Sequence, residues 1–488
     1  MHADERNRAM SEALGEDVET AFANQKYGFI QGALKETYTP GKREEASATK
    51  LIDTFVTHKL WGFPIFFFLM WLMFWCTFSL GAYPQEWIDT LVGWIGSGVD
   101  ALLPAGPLRD LLVDGIIGGV GAVIVFLPNI MILYLFISFM EDSGYLARAA
   151  FIMDRVMHRI GLHGKSFIPL IMGFGCNVPA IMACRTIESR SSRLITILIT
   201  PFMSCSARIP IYLLLAGTFF AADASMVMIG LYVLGVVLAV VTARLMRRFM
   251  FPVDETPFVM ELPPYRLPTL FSVLMHCWER TWMYVKKAGT VILAISIIIW
   301  AGLTYPKLDE ADSARFDTRI EQLTAQLDAL PDEDEGRAAL EEQITRLEEE
   351  KGAAELAYSY AGRLGKAIEP LTLPAGFEWR TDIALLAGVA AKEAVVSTMG
   401  TAYSLGDVDP EDAQNLGQLL RSNPNWNKAT ALSLMLFVLL YSPCFVSLVV
   451  IQREAGGWRW LIFSMVFNTL LAFAVSVAAY QIGLVVWD

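Results

Sequence analysis

Two stretches, Ile168-Pro-Leu-Ile-Met-Gly-Phe-Gly-Cys-Asn-Val-Pro-Ala180 and Ile199-Thr-Pro-Phe-Met-Ser-Cys-Ser-Ala-Arg-Ile-Pro-Ile211, decide the reading of this chain. Both are apolar enough for lipid, and both are interrupted by Gly or Pro. Each carries a cysteine at the interruption. Helix breakers at membrane depth are tolerated only where the freed backbone meets protein or a water-filled cavity. A thiol beside loosened carbonyls is therefore a candidate cation site.

The composition agrees. The chain has 488 residues, of which 55% are hydrophobic, and a mean hydropathy of +0.45. Several apolar runs reach the roughly 20 residues that a bilayer helix needs. The expected fold is all-α, a polytopic membrane protein with about seven or eight spans. The net charge of −12 is local: residues 308–356 hold 16 acidic and 5 basic side chains. The rest is near neutral, which excludes the phosphate backbone of nucleic acid as a partner. Six cysteines, at 76, 176, 184, 205, 277 and 444, are scattered through apolar segments and are expected to be free thiols.

Charge placement orders the spans. Residues 1–55 read as a cytoplasmic helical N-terminal segment, with Lys42 and Arg43 as inner flanks. Spans are expected over about 60–80, 112–140, 194–220, 226–245, 288–305, 429–451 and 460–486, with a loop over 82–110. Gly118-Gly-Val-Gly121 suits close packing or a bend. Residues 141–155 are amphipathic and then basic, so they belong on the cytoplasmic face. If 166–184 crossed the membrane, Arg185, Arg190 and Arg193 would lie outside, against the positive-inside rule. A re-entrant hairpin is expected instead, with Cys176, Asn177 and Pro179 at its tip. Residues 381–402, with Lys392-Glu393, are too short to span and read as a second re-entrant piece.

The order span, interfacial piece, re-entrant piece, broken span, span occurs twice. The first copy opens inward and the second outward by the charge rule, which makes an inverted repeat with a site at its midplane. The expected division is 56–250 for the first repeat, 251–306 for an interfacial segment and linking span, and 379–488 for the second repeat. Residues 307–378 form an acidic extracytoplasmic helical hairpin, either a solvated spacer or a cation-collecting surface.

A borderline divalent cation favours sulfur and nitrogen ligands, whereas hard cations favour oxygen. Cys205 and Cys444 occupy corresponding breaks, and Cys176 sits at a re-entrant tip. Asn177, Met203, Ser204, Ser206 and Ser442 are adjacent donors. Cys76, Cys184 and Cys277 read as packing residues. Glu393 in the second re-entrant piece is a functional candidate, or it simply neutralises Lys392. Arg208 would repel a cation, so it pairs with a carboxylate or a helix C-terminus. Glu141 and Asp142 are an exit site or helix caps. The sequence has no phosphate-binding Gly-x-x-x-x-Gly-Lys-[Ser/Thr] pattern and no zinc-protease histidine spacing. The expectation is a transporter, not an enzyme.

Several motifs in order resemble the membrane domain of the ferrous iron transport protein B (FeoB) family. They are Lys50-Leu-Ile-Asp53 with Gly62-Phe-Pro-Ile65, Glu141-Asp-Ser-Gly-Tyr145 with Arg148 and Asp154, Gly173-Phe-Gly-Cys-Asn-Val-Pro179, Pro201-Phe-Met-Ser-Cys-Ser-Ala-Arg-Ile-Pro210, Lys392-Glu393 and Ser442-Pro-Cys444. The resemblance covers about residues 20–488. It implies two gate-type repeats, Fe(II) import across a bacterial inner membrane, and Cys176, Cys205 and Cys444 as iron contacts. It also implies, as partners, a separate GTPase domain or chain that supplies any GTP site, a small cytoplasmic accessory protein and a homo-oligomer. Two other readings share the fold: a nucleoside-type permease, and a membrane anchor or sensor for a GTPase.

Overall fold

The computed structural model describes residues 32, 53–58, 61–104, 106–251, 265–329, 336–403 and 414–487. The expected helical segment over 1–55 and the Pro-rich start of 251–306 lie almost wholly outside them. Thr57–Asp488 form one compact unit, to which every element below belongs. No strand occurs among the described residues.

Helix α1 spans Gly62–Leu102. The short Pro107–Asp110, the π-helical Leu111–Gly118 and Gly119–Val125 form a bent lead-in to α2, Leu127–Asp142. A bend of 81° separates α2 from α3, Tyr145–Ile160, and Gly144 at the bend has φ 80°, a left-handed conformation suited to glycine. Helix α4, Phe167–Gly175, and α5, Asn177–Ala183, fold against each other across Cys176. Helix α6, Arg190–Ile199, and α7, Ile209–Phe219, are two halves of one broken span. Helix α8 is Ala224–Phe249, and α9 is Leu270–Thr304. The charged hairpin is α10, Glu310–Ala329, and α11, Gly336–Tyr358. Lys351 donates to Asp317 at 2.6 Å across it and holds that carboxyl below its usual range. There follow α12, Tyr360–Thr372; α13, Trp379–Ala390; α14, Ala394–Ala402; α15, Gln414–Ser422; α16, Lys428–Leu440; α17, Phe445–Glu454; and α18, Trp458–Trp487.

The same series of elements runs twice. Helices α2, α3, α4, α5, α6, α7 and α8 correspond to the end of α9 and to α12, α13, α14, α16, α17 and α18. The packing follows the same rule. Helix α5 packs on α17, and its counterpart α14 packs on α7. Helix α6 packs on α17, and α16 packs on α7. The first half of each broken span thus meets the second half of the other. Two spans crossing in opposite directions with level breaks give this pattern. The re-entrant pairs share a backbone detail: Cys176 has φ −151° and ψ 131°, Ala391 φ −144° and ψ 130°. In this order of elements the α10–α11 hairpin lies between α9 and α12.

Among the described residues five helical segments (α1, α6–α7, α8, α16–α17 and α18), or six with the bent α2–α3 pair, are long and apolar enough to cross a membrane. The broken spans are central, with 78% and 83% of their apolar windows buried, against 28% for α8 and α18 and 33% for α1. Helices buried on all sides carry their contacts inward, and peripheral ones turn apolar faces to lipid.

The structure corrects two expectations. Residues 82–102 are not loop, because α1 continues through Pro84 with Trp87, Leu91 and Trp94 exposed. A proline removes one helical hydrogen bond and need not end a long apolar helix. The interfacial stretch holding Trp278 and Trp282 is not separate from the span at 288–305; both belong to α9. On the amphipathic stretch that follows α2, Arg148 turns inward. It is fully buried, donates to Gly144 O at 2.8 Å, and lies 3.8 Å from the centre of the Tyr265 ring.

Helix α8 reads the central break through one residue. A Cβ on Gly235 would stand 2.8 Å from Phe202 O, a backbone atom that cannot swing aside. Gly235→Ala is expected to cost about 1–3 kcal/mol of stability. Gly230→Ala, with nothing within 4 Å, is expected to be neutral or to gain up to about 1 kcal/mol of helix propensity. Thermal unfolding in detergent checks the pair.

Candidate metal site

The first break has a clear local cause. Pro201 and Pro210 have no N–H to offer the carbonyls four residues earlier, and so the helix opens between them. Thr200–Phe202 and Ser206–Arg208 are single 3-10 turns, with Met203 and Cys205 extended. The freed carbonyls are taken by Arg208, which donates to Pro201 O at 3.2 Å and Met203 O at 3.4 Å. Of the two partners expected for this buried guanidinium, the helix end is the one found. Ser206 Oγ donates to Gly175 O at 3.0 Å and ties the break to the re-entrant tip.

The second break repeats the logic with different residues. The run Tyr441-Ser-Pro-Cys444 follows the end of α16 and contains Pro443, and Cys444 stands at the N-cap of α17. Lys392 Nζ donates to Ser442 O at 2.6 Å and sits 3.0 Å from the centre of the Tyr441 ring. It is 2% exposed. Cys444 Sγ and Ser447 Oγ are 3.1 Å apart.

Between the breaks lies a cavity of about 970 Å³. Cys176, Asn177, Cys205, Ser206, Glu393 and Cys444 line its deep part, together with Arg208, Lys392 and Ser447. The three thiols are within electrostatic range of one another, and Glu393 is within range of Cys176 and Cys205. Asn177 Oδ1 and Arg208 Nε are buried without a hydrogen-bond partner among the described residues. The other end of the cavity is walled by Thr77, Gln85, Glu86, Asn129, Gln418 and Arg421, with Glu86 and Arg421 exposed. This end is remote from the arginine-rich end of the bundle. Toward the arginines the way is filled by Val178, Ile181, Leu194, Ile197, Val446 and Ile451. Beyond them Arg185 pairs with Glu454 across the two repeats, Nε to Oε2 at 2.6 Å. All described cysteines are free. Among the described residues no three His, Cys, Asp or Glu side chains stand close enough, as they are, to hold a metal ion.

The remaining candidates lie elsewhere. Met203 is buried against Gly173, whose added Cβ would be 2.9 Å from Met203 Cβ. Ser204 Oγ donates to Tyr212 Oη at 3.4 Å, and Ser442 Oγ to Pro443 O at 3.3 Å. These three do not line the cavity. Glu141 pairs with Arg280 at 2.7 Å, and Asp142 accepts from Ser272 at 3.3 Å, so both join α2 to α9. Cys184 and Cys277 donate to the carbonyls of Ala180 and Met131. Sequence reasoning missed the Lys392 bond, Ser447 and the cavity mouth. Ser447 stands one turn beyond Cys444 and was open to notice. The mouth is assembled from α1, α2 and α15, far apart in sequence, and left no local signal.

Two family models match. The gate model described as nucleoside recognition covers residues 123–219 and 285–458, and the model for the ferrous iron transport protein B C terminus covers 228–280. The Fe(2+) transporter FeoB of Campylobacter jejuni is 40% identical over 457 residues, 93% of this chain and 68% of that protein. This chain belongs to the FeoB family. An Fe(2+) transport protein A/Fe(2+) transporter FeoB fusion protein of Porphyromonas gingivalis is 52% identical over 479 residues, covering 96% of this chain and 56% of that protein. A FeoB of Methanocaldococcus jannaschii is 36% identical over 97% of this chain and 64% of its own length. The chain thus spans 56–68% of these FeoB relatives. No solved structure matches it.

The geometry separates the thiols by access. A water-soluble maleimide applied from the Glu86 side is expected to label Cys176 and Cys444, which are partly exposed in the cavity, and to spare the fully buried Cys184. Mass spectrometry of the labelled peptides reads this directly.

Proposed function

We propose that this chain is the membrane-embedded path of an Fe(II) importer of the bacterial inner membrane, with its N-terminus in the cytoplasm. The observation that carries the proposal is the convergence of three free thiols from three separate helix breaks on one cavity. Cys176, Cys205 and Cys444 supply sulfur, Asn177 an unpartnered amide oxygen, and Glu393 a carboxylate. Sulfur suits Fe(II) and Zn(II) better than Mg(II) or Ca(II). The named relatives are Fe(2+) transporters, which supports the same cargo.

Charge supports it too. Three thiolates and Glu393 carry four negative charges; Fe(II), Lys392 and Arg208 carry four positive ones. A loaded pocket is therefore neutral, which membrane depth demands. Thiols must lose protons to bind, so loading releases protons and weakens as pH falls. Release toward the arginine-rich end requires α5 and α17 to part, because their apolar side chains fill that route. Rocking of one repeat against the other supplies such a motion. Any GTP-driven step belongs to a separate GTPase domain or chain.

Uptake of Fe(II) into proteoliposomes tests the proposal. Cys205→Ser with Cys444→Ser is expected to weaken Fe(II) binding by more than the roughly 10–100-fold that loss of mere outer-shell partners costs. Unchanged affinity and uptake in that double variant would sink the assignment. Uptake of labelled uridine in place of iron would move the chain to the nucleoside-type reading named by its gate model, and no flux of either would leave a GTPase anchor.

A further inference from the structure

Beyond the apolar side chains that close the way from the thiols to the arginine-rich end, a bidentate ion pair spans the two repeats. Arg185 lies in the turn after α5, and Glu454 is the last residue of α17. The guanidinium donates through Nε to Oε2 at 2.6 Å and through Nη2 to Oε1. Arg185 is exposed, whereas Glu454 is almost buried. Ten residues of α17 separate Glu454 from Cys444, about 15 Å of helix.

The surroundings single this carboxylate out. Arg185, Arg190, Arg193, Arg453 and Arg459 flank the same end, and positive charge there repels a departing dication. Glu188 is exposed and engaged with Lys165 at 2.8 Å. Glu454 lies within electrostatic range of the fully buried Cys184, inside the contact between the repeats. It also stands at a helix C-terminus, where the dipole disfavours negative charge. Arg185 compensates for both in the closed pose.

Resting on the Fe(II) reading above, we infer that Glu454 is a relay ligand on the exit route: Arg185 masks it in this pose, and the departing dication takes the place of Arg185. The two partners sit on the two walls that must part. Parting α5 from α17 carries the guanidinium away from the carboxylate. An arriving dication repels the guanidinium and attracts the carboxylate, each twice as strongly as a single charge at the same distance. The ion thus supplies part of the work of opening, and it meets an oxygen ligand as it leaves sulfur. One carboxylate holds it more loosely than the thiol cluster does, so the ion moves on.

A static strut is the competing account, in which the pair only ties α5 to α17. A strut treats its ends alike, because removing either one breaks the same bond. A relay does not.

Fe(II) uptake by the full chain in proteoliposomes separates the two, with equilibrium Fe(II) binding measured alongside under anaerobic conditions. Glu454→Gln is expected to lower the maximal uptake rate at least about tenfold. Its Fe(II) affinity is expected to stay within about twofold of the parent, because the pair is remote from the thiols. Glu454→Asp is expected to recover most of the rate. Arg185→Gln is expected to raise it, because the carboxylate stays and its mask is gone. Equal losses in Glu454→Gln and Arg185→Gln overturn the inference, as does parental uptake in Glu454→Gln. Cys184 beneath the pair gives a second readout. Fe(II) is expected to speed its labelling by a maleimide applied from the arginine-rich side in the parent, and to leave it unchanged in Glu454→Gln. Should Glu454→Gln not fold, the parent decides: labelling of Cys184 that does not respond to Fe(II) overturns the inference. If the parent neither binds nor takes up Fe(II), or its Cys205→Ser, Cys444→Ser variant does so equally well, the underlying reading has failed rather than the role of Glu454.

Discussion

A backbone carbonyl opened at membrane depth must find a donor, and most of this structure follows from that demand. Proline and extended residues interrupt four central helix pairs, and an unsatisfied polar group in hydrocarbon costs several kcal/mol. The donors are few and specific: Arg208 for Pro201 and Met203, Ser206 for Gly175, Lys392 for Ser442. Each bond joins a break to a neighbouring segment. The positions of the re-entrant tips are thereby set, and the cavity is the space left between them.

The arginine-rich end is held differently. There the repeats meet through aliphatic side chains of α5, α6 and α17. The Arg185–Glu454 pair lies over them, with the arginine side chain 59% exposed. The glutamate is only 9% exposed, so the pair is half-buried and its attraction is offset in part by desolvation. Apolar contact therefore closes that end, and the ion pair mainly fixes register between the repeats.

Much of this was legible in the sequence. Broken spans, re-entrant pieces, the charged hairpin and the repeated order of elements follow from apolar runs, breakers and arginine placement, all local signals. The three cysteines were legible because thiols at helix breaks are chemically conspicuous. What was hidden depends on distance. Nothing near residue 84 shows that α1 runs on to Leu102, since one proline has the same local signature in a helix and in a loop. Lys392 and Glu393 read either as functional groups or as a self-neutralising pair because they are adjacent, yet the lysine bonds a carbonyl fifty residues away. Met203, Ser204 and Ser442 read as donors for their proximity to cysteine, but Met203 packs against Gly173 and the two serines bond Tyr212 and Pro443. The burial of Arg148 depends on a tyrosine over a hundred residues later and left no local signal.

The mismatch between Cys176-Asn177 and Ala391-Lys392 bears on direction. Two identical halves related by a twofold axis in the membrane plane would give a carrier whose inward and outward poses are exchanged by that rotation and equal in energy. Here the scaffold keeps that equivalence while the chemistry abandons it. An ion drawn toward the first half lies off the axis, and its surroundings differ between the two poses. With unlike residues at the two corners, that equality is no longer imposed by symmetry.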